Sequence, residues 1–588
     1  PPPTNAPATT EIYTYTESSA ASDVYKRQLN GAPVAMTYRS ILPLIGLLCF
    51  PLLLTANEGG VRDQIQRHVE RIQAGGDAAI DAEAVASVQV LPTLYEQRNY
   101  TRIWTRPDSV NQLFDTLDSV DEDGLDASDY HTAALKALRD QIGENTAADP
   151  ALAAKFDILL TDSLIRLGYH LLVGKVDPLE LDNHWNMEYT IGDLDTTLEL
   201  ATAIQQGKVT GLVNRLRPQA SIYANLKAAL ARYRNIQQRG GWQPITPGPT
   251  LKPGMNDARV SELRKRLAAS DDLSSADLTS SLFDDDVETA VKKFQRLHGM
   301  EADGLVGKAT LAAMNVPVQA RIDQIRVNLE RARWVLRNLP DEYVMTDIAG
   351  FRVTYVRDNE VIWRSRAQVG KPYRKTPVFR SEITYLDINP TWTLPPTILY
   401  QDIIPKLRKD PDYLNRKDMR VLEYSGKAVD ASTIDWSKYS NGRFPYMIRQ
   451  NPGPKNALGR IKFMFPNKHS VYLHDTPNRS LFGRTERAFS SGCIRVENPY
   501  DFAQLLLKSD QWNKARIMEI VDSRKTTSVP LPSPVTVILL YWTVNAGDDG
   551  QIVFKKDIYN RDGPILAALK RPFRFRKGPI LDQAQSPR

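Results

Sequence analysis

The stretch "IKFMFPNKHSVYLHDTPNRSLFGRTERAFSSGCIRV" (residues 461–496) carries the pattern that decides the fold of the region around it. Apolar residues take every second position from Ile461 to Phe465 and resume this alternation after a Pro-Asn-Lys turn. Alternation on both sides of a turn predicts a β-hairpin with one apolar face. Because a similar alternation begins at about residue 342, we expect this part of the chain to be a β-sheet domain.

Two reactive side chains of this stretch point away from its apolar face. His474 and Tyr472 alternate with the core-facing Leu473, and after the Ser-Ser-Gly turn Cys493 and Arg495 take the face opposite to their apolar neighbours. A thiol with a pKa of about 8.5 needs a nearby imidazole or positive charge to form the thiolate that attacks a carbonyl. His474 and Cys493 are therefore the candidate base and nucleophile.

The use of cysteine in the whole chain supports this interpretation. The chain has 2 cysteines, and Cys49 lies in an apolar run from Met36 to Ala56 that has the pattern of a secretory signal. In an exported protein structural cysteines come in pairs, so a solitary Cys493 is either inert in a core or kept for its chemistry. Its neighbours Ser490–Gly492 favour a turn over a core, which indicates chemistry.

The turn before the cysteine is expected to contribute to catalysis as well. Gly492 lets the backbone turn tightly next to Ser491. The N–H groups of Gly492 and Cys493 are expected to face the oxyanion of a tetrahedral intermediate, and each such donor contributes about 2.7–4 kcal/mol in known acyl-transfer sites.

Composition limits the remaining classes of function. The 588 residues predict about four domains at roughly 150 residues each. A net charge of +6 is too small for this length to indicate binding of nucleic acid. The sequence has no metal-ligand cluster, phosphate loop or dinucleotide fingerprint, and its 7 histidines are scattered. We therefore expect neither a cofactor nor a metal.

Changes of pattern along the chain predict a multidomain α+β protein. Residues 1–35 are polar and patternless, and we expect a disordered or non-native leader there. Residues 36–56 are expected to be a signal peptide, with an uncleaved membrane anchor as the alternative, because Leu54 stands where a cleavage site prefers a small residue. The other predicted parts are a helical scaffold at 57–240, a Pro/Gly linker at 241–253, a helical unit at 254–316, a β-rich domain at 317–525 with an insertion at 396–450, and a C-terminal extension at 526–588.

The scaffold region is expected to support the rest of the protein rather than to carry chemistry. In "AKFDILLTDSLIRLGYHLL" apolar residues recur at three- and four-residue steps from Phe156 to Leu171, which predicts an amphipathic helix. Trp104, Trp185 and Tyr189 are interpreted as core or groove residues.

The helical unit at 254–316 resembles a peptidoglycan-binding domain. The resemblance rests on "FQRLHGMEADGLVGKATL", which has the helix, the Asp-Gly turn and the Gly-x-x-Thr spacing of that domain. The alternative is a helical spacer in which the Asp-Gly turn is coincidental.

The His/Cys stretch resembles the catalytic signature of the L,D-transpeptidase family. That signature is a histidine, a spacer of similar length, and a Ser-Gly-Cys turn followed by a hydrophobic residue and Arg or Asn, and residues 474–496 match it throughout. "NPTWTLPPTI" and "NPGPKNALGRIKFMFPN" extend the similarity, as does the order of helical, binding and catalytic regions. Over about residues 60–570 the chain is similar to the long periplasmic members of Gram-negative bacteria.

This resemblance implies a cysteine enzyme of the cell wall on a β-sandwich. Cys493 would attack the diaminopimelate carbonyl of a donor tetrapeptide stem, release D-alanine and leave a thioester. A side-chain amine of another stem would then resolve the thioester and form a 3→3 cross-link. The insertion at 396–450 matches the insertion that caps the active site in long members, and we expect it to be a mobile lid. Carbapenems are expected to acylate Cys493.

The same resemblance assigns roles to further residues. His474 corresponds to the base and Cys493 to the nucleophile. Trp392 in "NPTWTLP" is expected to line the substrate cleft, with ordinary packing as the alternative. The supporting or oxyanion positions of the family motif correspond to Tyr472, Ser491, Gly492 and Arg495.

Three arginines lie in the loop between the histidine and the cysteine. Arg479, Arg484 and Arg487 are expected to meet substrate carboxylates, because diaminopimelate and D-alanine both carry them. The alternative is that these arginines are solvated loop residues.

Other functions remain as alternatives. A sortase also uses His, Cys and Arg, but its residues are spaced differently from those of this chain. An L,D-carboxypeptidase or endopeptidase would use the same Cys/His pair with water as acceptor. A non-catalytic wall-binding protein is the third alternative.

The expected location is the periplasm, with or without inner-membrane anchoring. The expected partners are peptidoglycan tetrapeptide stems as donor and acceptor, cell-wall synthases and D,D-carboxypeptidases, and no nucleic acid.

Overall fold

A computed structural model describes residues 58–573 with the exception of 76–77, 145–148, 184, 188–195, 275–276, 338, 440–443 and 548. The predictions for 1–35 and 36–56 and the interpretation of Tyr189 fall outside the described residues. Within the described part of the chain, no helix has both the length and the apolarity needed to cross a membrane.

The N-terminal region is helical, as its periodicity predicts. Its elements are α1 (Glu58–Gln73), β1 (Ala79–Ile80), β2 (Glu83–Ala84), α2 (Val90–Glu96), α3 (Pro107–Asp118), α4 (Thr132–Glu144), α5 (Pro150–Val173), α6 (Pro178–Leu181), α7 (Thr196–Gln206), α8 (Val209–Leu216) and α9 (Ser221–Gln238).

Helix α5 is not the amphipathic surface helix that its apolar spacing predicts. From Ala153 to Val173 nearly every residue is buried, including charged ones. Burial is tolerated because the buried carboxylates of this helix have hydrogen-bond partners. Asp157 accepts the N–H of Trp104 at 2.9 Å and the hydroxyl of Tyr95 at 2.6 Å. The prediction of one polar face was therefore wrong, since neighbouring helices and loops cover that face too.

The region after α9 forms a second helical unit around its own core. Its helices are α10 (Arg259–Ala269), α11 (Asp285–Leu297) and α12 (Lys308–Met314). Phe283 and Phe294 are fully buried in its core. Ile245 and Leu251 lie in the same core, so the segment predicted as a Pro/Gly linker packs as part of this unit. A long helix, α13 (Val318–Val335), then leads to the β-rich part.

The β-rich part begins with the predicted hairpin. Asp358 and Asn359 both have positive φ, 55° and 63°, which matches the right-handed twist of a tight hairpin turn. The first strands are β3 (Glu342–Asp347), β4 (Arg352–Arg357), β5 (Glu360–Gly370) and β6 (Phe379–Ile388).

The insertion that follows builds a separate small sheet, in the order β7-β10-β8-β9. Its core includes Leu399, Ile404 and Ile448. We call residues 392–450 the cap. Its elements are β7 (Trp392–Thr393), α14 (Pro396–Ile398), a π-helical turn (Leu399–Ile403), α15 (Ile404–Leu407), α16 (Tyr413–Arg416), β8 (Met419–Leu422), β9 (Ala428–Val429) and β10 (Met447–Gln450).

The chain then returns to the main sheet and completes it. The last elements are β11 (Ile461–Met464), β12 (Leu473–His474), β13 (Ala488–Ser490), β14 (Ile494–Val496), α17 (Pro499–Leu507), α18 (Lys514–Ser523), β15 (Thr527–Leu540), β16 (Val544–Ala546), β17 (Ile552–Phe554) and α19 (Asp562–Leu569). The strand order is β13-β5-β14-β12-β11-β6-β15-β3-β4, and β4 also pairs with β5. The sheet therefore closes on itself.

The segment predicted as a C-terminal extension begins with a strand of this sheet. Strand β15 pairs with β6 over a long register and runs parallel to β3. The sequence "SVPLPSPVTVILL" is rich in proline, and the structure accommodates the prolines with a register shift between Pro530 and Val535. The boundary at 525 therefore divides one sheet.

Candidate active site

One row of side chains crosses five neighbouring strands and contains the predicted base. His474 on β12 stands opposite Arg495 on β14 and opposite Lys462 on β11. Arg495 in turn pairs with Gln368 on β5, and Lys462 pairs with Asp387 on β6. Residues in register share one face of a sheet, so the imidazole lies between two cations.

The predicted nucleophile lies in a tight turn that ends at β14. Gly492 has φ 122°, a conformation that side chains other than glycine rarely adopt. The hydroxyl of Ser490 donates to the carbonyl of Cys493 at 2.6 Å and closes the turn. The Cys493 side chain is half-buried, and among described residues it is a free thiol.

The turn does not supply both N–H donors that the sequence suggested for an oxyanion. The N–H of Gly492 donates to the hydroxyl of Ser490 at 3.1 Å and is therefore already used. The role of Gly492 as an oxyanion donor stays a prediction, because in the structure a buried serine inside the turn accepts that N–H. Of the predicted pair, the N–H of Cys493 remains for an oxyanion.

The thiol of Cys493 has partners in the segment that leads into β12. The Sγ donates to the carbonyl of Ser470 at 3.7 Å. Burial raises the pKa of the Cys493 thiol, while hydrogen bonds from the backbone and the hydroxyl of Tyr472, together with the charges of Arg495 and Lys462, lower it. The resting group is thus a neutral thiol surrounded by donors and cations that would stabilise a thiolate.

His474 is buried, with 3% of its surface exposed. Its Nδ1 lies 2.5 Å from the carbonyl of Asp475, so Nδ1 carries the proton and Nε2 keeps its lone pair. Burial, followed by the charge of Arg495, lowers the pKa of His474 to about 3. The imidazole is therefore neutral at physiological pH and able to accept a proton. Among the described contacts no hydrogen bond joins it to Cys493.

Tyr472 connects the thiol, the histidine and the cap. Its ring meets the ring of His474 edge to face at 5.6 Å, and the ammonium of Lys462 lies 4.1 Å above its centre. Burial raises the pKa of Tyr472 well above its ordinary value, whereas a hydrogen bond from Trp392 lowers it. Trp392, which the sequence suggested as a cleft residue, thus reaches from β7 of the cap to the tyrosine beside Cys493.

Ser491 links the catalytic turn to the cap through one arginine. Its hydroxyl accepts Nη1 of Arg374 at 2.8 Å. The same guanidinium binds both carboxylate oxygens of Asp402 and donates to Gln401 at 2.8 Å, both in the π-helical turn of the cap. Gln401 and Asp402 of the cap are therefore linked through Arg374 to the turn that carries Cys493.

The three loop arginines are placed differently from one another. Arg479 pairs with Asp475 at 3.0 Å and is half exposed. Arg487 donates to the carbonyls of Ala367 at 3.2 Å and Phe351 at 3.1 Å, so it braces the loop. Arg484 is exposed. Binding of a substrate carboxylate stays a prediction for all three arginines. Arg487 has the fewest N–H donors available for it, because its guanidinium already donates to backbone carbonyls.

Sequence reasoning missed Lys462 and Arg374. Lys462 could have been found, because it occupies the strand opposite His474 in the predicted hairpin and alternates with Ile461 and Phe463. Arg374 could not, because its role depends on the folded position of the cap. Among the described residues no group of three His, Cys, Asp or Glu side chains is arranged to hold a metal ion.

Comparison with known proteins gives three adjoining matches. Residues 341–526 match the L,D-transpeptidase catalytic domain (YkuD), residues 89–230 match a scaffold domain, and residues 256–314 match the "Putative peptidoglycan binding domain" family. A protein of Haemophilus influenzae described as "Putative L,D-transpeptidase" is 40% identical over 235 residues, which cover 40% of this chain. The match spans 47% of that relative's length.

Solved structures are similar only at low identity. An L,D-transpeptidase fragment from Xylanimonas cellulosilytica is 15% identical and gives a TM-score of 0.17. The alignment covers 51% of this chain and 100% of that fragment. An L,D-transpeptidase from Stackebrandtia nassauensis is 15% identical and gives a TM-score of 0.20. The alignment covers 50% of this chain and 97% of that protein.

The domain matches and the site define a multidomain protein in which a cysteine-containing β-rich catalytic domain follows a scaffold and a peptidoglycan-binding unit. The β-rich part of this chain is similar to the L,D-transpeptidase catalytic domain family.

Proposed function

We propose that this protein is a peptidoglycan L,D-transpeptidase that forms 3→3 cross-links through a thioester on Cys493. The observation that carries the proposal is the environment of the Cys493 thiol, whose pKa is raised by burial and lowered by hydrogen bonds from Tyr472 and by the charges of Arg495 and Lys462. Such surroundings favour a thiolate in the transition state and leave a neutral thiol at rest.

In the first step Sγ of Cys493 attacks the diaminopimelate carbonyl of a donor stem while its proton passes to Nε2 of His474. The oxyanion forms beside the N–H of Cys493. The bond to D-alanine then breaks, and the imidazolium returns the proton to the departing amine. Because Arg495 and Lys462 disfavour a charged imidazole, we expect the imidazolium to be short-lived.

In the second step the side-chain amine of an acceptor stem attacks the thioester. The amine loses a proton to His474, the bond from carbon to sulfur breaks, and the proton passes to the thiolate of Cys493. The product is the cross-linked dimer and the enzyme is regenerated. Water in place of the amine would give a trimmed stem, so the L,D-carboxypeptidase alternative uses the same residues.

The remaining parts of the protein support action on the wall. The unit at 256–314, matched to a peptidoglycan-binding family, would hold the catalytic domain near a polymeric substrate and raise its effective concentration. We propose the periplasm as the location, on the sequence of residues 36–56, with inner-membrane anchoring if that segment is retained. Cell-wall synthases and D,D-carboxypeptidases that supply tetrapeptides are the proposed partners.

Purified protein incubated with disaccharide tetrapeptides tests the proposal. A dimer that has lost one D-alanine supports transpeptidation, a trimmed monomer supports the carboxypeptidase, and unchanged substrate supports a wall-binding protein. Cys493→Ala should abolish every product, with Ser480→Ala as an exposed control in the adjoining loop. Intact mass after treatment with a carbapenem should show one adduct on Cys493, and no adduct would count against the nucleophile.

A further inference from the structure

Two arginines at the junction of β5 and β14 have partners of different charge. Arg495 on β14 stands opposite Gln368 on β5, and the next pair along the same face is Glu497 with Arg366. Arg366 is neutralised, because its Nε donates to the carboxylate of Glu497 at 2.7 Å. Arg495 instead donates from Nη1 to the amide oxygen of Gln368 at 3.1 Å. The arginine two residues after Cys493 is therefore held by a neutral group.

The amide of Gln368 has a single orientation that satisfies its surroundings. Gln368 is fully buried, with 0% of its surface exposed. Its Nε2 donates to the carbonyl of Asn478 at 3.3 Å, in the loop between His474 and Cys493. Because a carbonyl only accepts and a guanidinium only donates, the amide nitrogen faces Asn478 and the amide oxygen faces Arg495. A carboxylate in this place would put an acceptor against the carbonyl of Asn478.

The guanidinium of Arg495 keeps its charge available to the reacting groups. Its buried Nε has no hydrogen-bond partner within the described part of the chain. No described carboxylate forms an ion pair with it, and its one side-chain hydrogen bond there is to Gln368. Burial lowers the pKa of Arg495, and the charge of a Cys493 thiolate raises it. A cation of this kind is stabilised most when negative charge forms beside it.

The thiol is surrounded by titratable and charged groups from several elements. Lys462 and Arg495 lower its pKa by their charge, after the hydrogen bonds of Tyr472. His474 adds no positive charge near neutral pH, because burial keeps its imidazole neutral. The groups that face the thiol or Arg495 from the strands and the segment before β12 are Lys462, Tyr472, His474 and Gln368, with Asp387 opposite Lys462 on β6.

We propose that Gln368 is a positioning residue that holds the guanidinium of Arg495 beside the Cys493 thiol without cancelling its charge. A charge fixed in advance at the place where negative charge develops stabilises a thiolate and an oxyanion without any rearrangement during the reaction. The amide satisfies one N–H of the arginine and leaves the whole charge for that purpose. The consequence for catalysis rests on the proposed function, whereas the effect on the thiol does not.

The pH profile of alkylation of Cys493 by iodoacetamide tests this role. Gln368→Met keeps the length of the side chain and removes both of its hydrogen bonds, so the guanidinium is no longer held at the thiol. The alkaline rise of the rate should move to higher pH, and the rate at pH 7 should fall about threefold or more. Gln511→Met, at an exposed position, is the matched control and should follow wild type. Profiles of Gln368→Met and wild type that coincide would overturn the proposal.

A double variant distinguishes positioning of the arginine from a general loosening of the strands. In Arg495→Gln the charge is absent, so adding Gln368→Met should change the alkylation rate at pH 7 by less than about 1.5-fold. A further fall as large as the one in the wild-type background would show that Gln368 does not act through Arg495, and would overturn the proposal.

Gln368→Glu provides a second variant, because the loss of two buried hydrogen bonds in Gln368→Met can prevent folding. The added carboxylate pairs with Arg495 and cancels its charge. The rate at pH 7 should then fall at least as much as in Gln368→Met, with a melting curve to confirm that the protein is folded. An unchanged rate in folded Gln368→Glu would overturn the proposal.

These measurements need no cell-wall substrate, so they separate this inference from the proposed function. Shifted alkylation profiles in a protein that forms no cross-linked dimer would support the role of Gln368 and count against transpeptidation. Cross-linking by wild type together with coincident alkylation profiles would support transpeptidation and overturn the role of Gln368.

Discussion

His474 stands directly opposite Arg495 in the parallel pair of β12 and β14, and this cation disfavours a charged imidazole. With burial, it lowers the pKa of His474 to about 3. The thiol of Cys493 has a raised pKa. A neutral histidine and a neutral thiol therefore form the resting state, in contrast to a preformed ion pair of thiolate and imidazolium.

The first prediction is that His474 makes the protein sensitive to acid. The folded protein keeps this imidazole neutral down to about pH 3, whereas the unfolded chain binds a proton below its ordinary pKa of 6.5. Unfolding therefore becomes more favourable as the pH falls from 6.5 towards 3. Between pH 7 and pH 5, His474 alone should lower the free energy of unfolding by about 2 kcal/mol. His474→Asn should lose that part of the dependence.

Urea unfolding of wild type and His474→Asn at pH 7 and 5 measures the difference, because acid effects of all other groups are common to both proteins. His469→Asn, in the turn before β12, is the matched control and should behave like wild type. An identical loss of stability in wild type and His474→Asn would contradict the lowered pKa.

The second prediction concerns the charge of Lys462. Its ammonium helps to lower the pKa of the Cys493 thiol, so Lys462→Gln should move the alkaline rise of the alkylation rate to higher pH. Lys468→Gln changes an exposed lysine of the same hairpin and should leave the profile in place. The measurement is the iodoacetamide rate from pH 6 to 10. Coincident profiles for Lys462→Gln and wild type would exclude this role.

The third prediction concerns the buried carboxylate of the scaffold. Asp162 is fully buried and accepts Nε of Arg166 at 2.6 Å, Nε2 of His131 at 2.8 Å and the N–H of Ser87 at 2.8 Å. Asp162→Asn leaves Arg166 without its charged partner and should destabilise the scaffold by about 3–5 kcal/mol.

Thermal unfolding followed by the helical signal measures that loss. Asp118→Asn removes a carboxylate that pairs with Lys136 at the surface and should change the stability by less than about 1 kcal/mol. Similar melting temperatures for Asp162→Asn and Asp118→Asn would contradict the view that this network holds α5 in place.

The parts of the fold that depend on local pattern could be predicted from sequence. The hairpin at Asp358–Asn359 and the faces of Leu473 and His474 follow from alternation and turn chemistry. Strand β15 could not be recognised, because its prolines suggest a loop and its strand state depends on pairing with β6 and β3. The polar side of α5 could not be assigned either, because its burial depends on partners distant in sequence such as Tyr95.

The candidate site shows the same division. The pairing of His474 with Cys493 as candidates came from residue type and spacing, and both side chains lie where the alternation places them. The engagement of the Gly492 N–H by Ser490 depends on one rotamer inside the turn. The contact of Arg374 with Ser491 joins residues far apart in sequence. Neither contact can be predicted from a local sequence pattern.

The last prediction concerns the ion pair between Arg374 and Asp402, which holds the cap against the turn that carries Cys493. Asp402→Asn removes the charge of this pair and keeps the shape of the side chain. The cap should then open more often, which weakens the ordering of a large stem peptide but leaves a small reagent unaffected. We expect acylation by a tetrapeptide donor to slow about threefold to tenfold, as for the loss of a partly exposed ion pair of about 1 kcal/mol. Alkylation by iodoacetamide should stay within about twofold of wild type.

Asp435→Asn, which alters an exposed ion pair with Lys438 inside the cap, is the matched control and should change neither rate. Hydrogen exchange of the cap should increase in Asp402→Asn alone. Equal slowing of the donor and of iodoacetamide would show instead that Asp402 acts on Cys493 itself through Arg374 and Ser491, and that the cap does not control access.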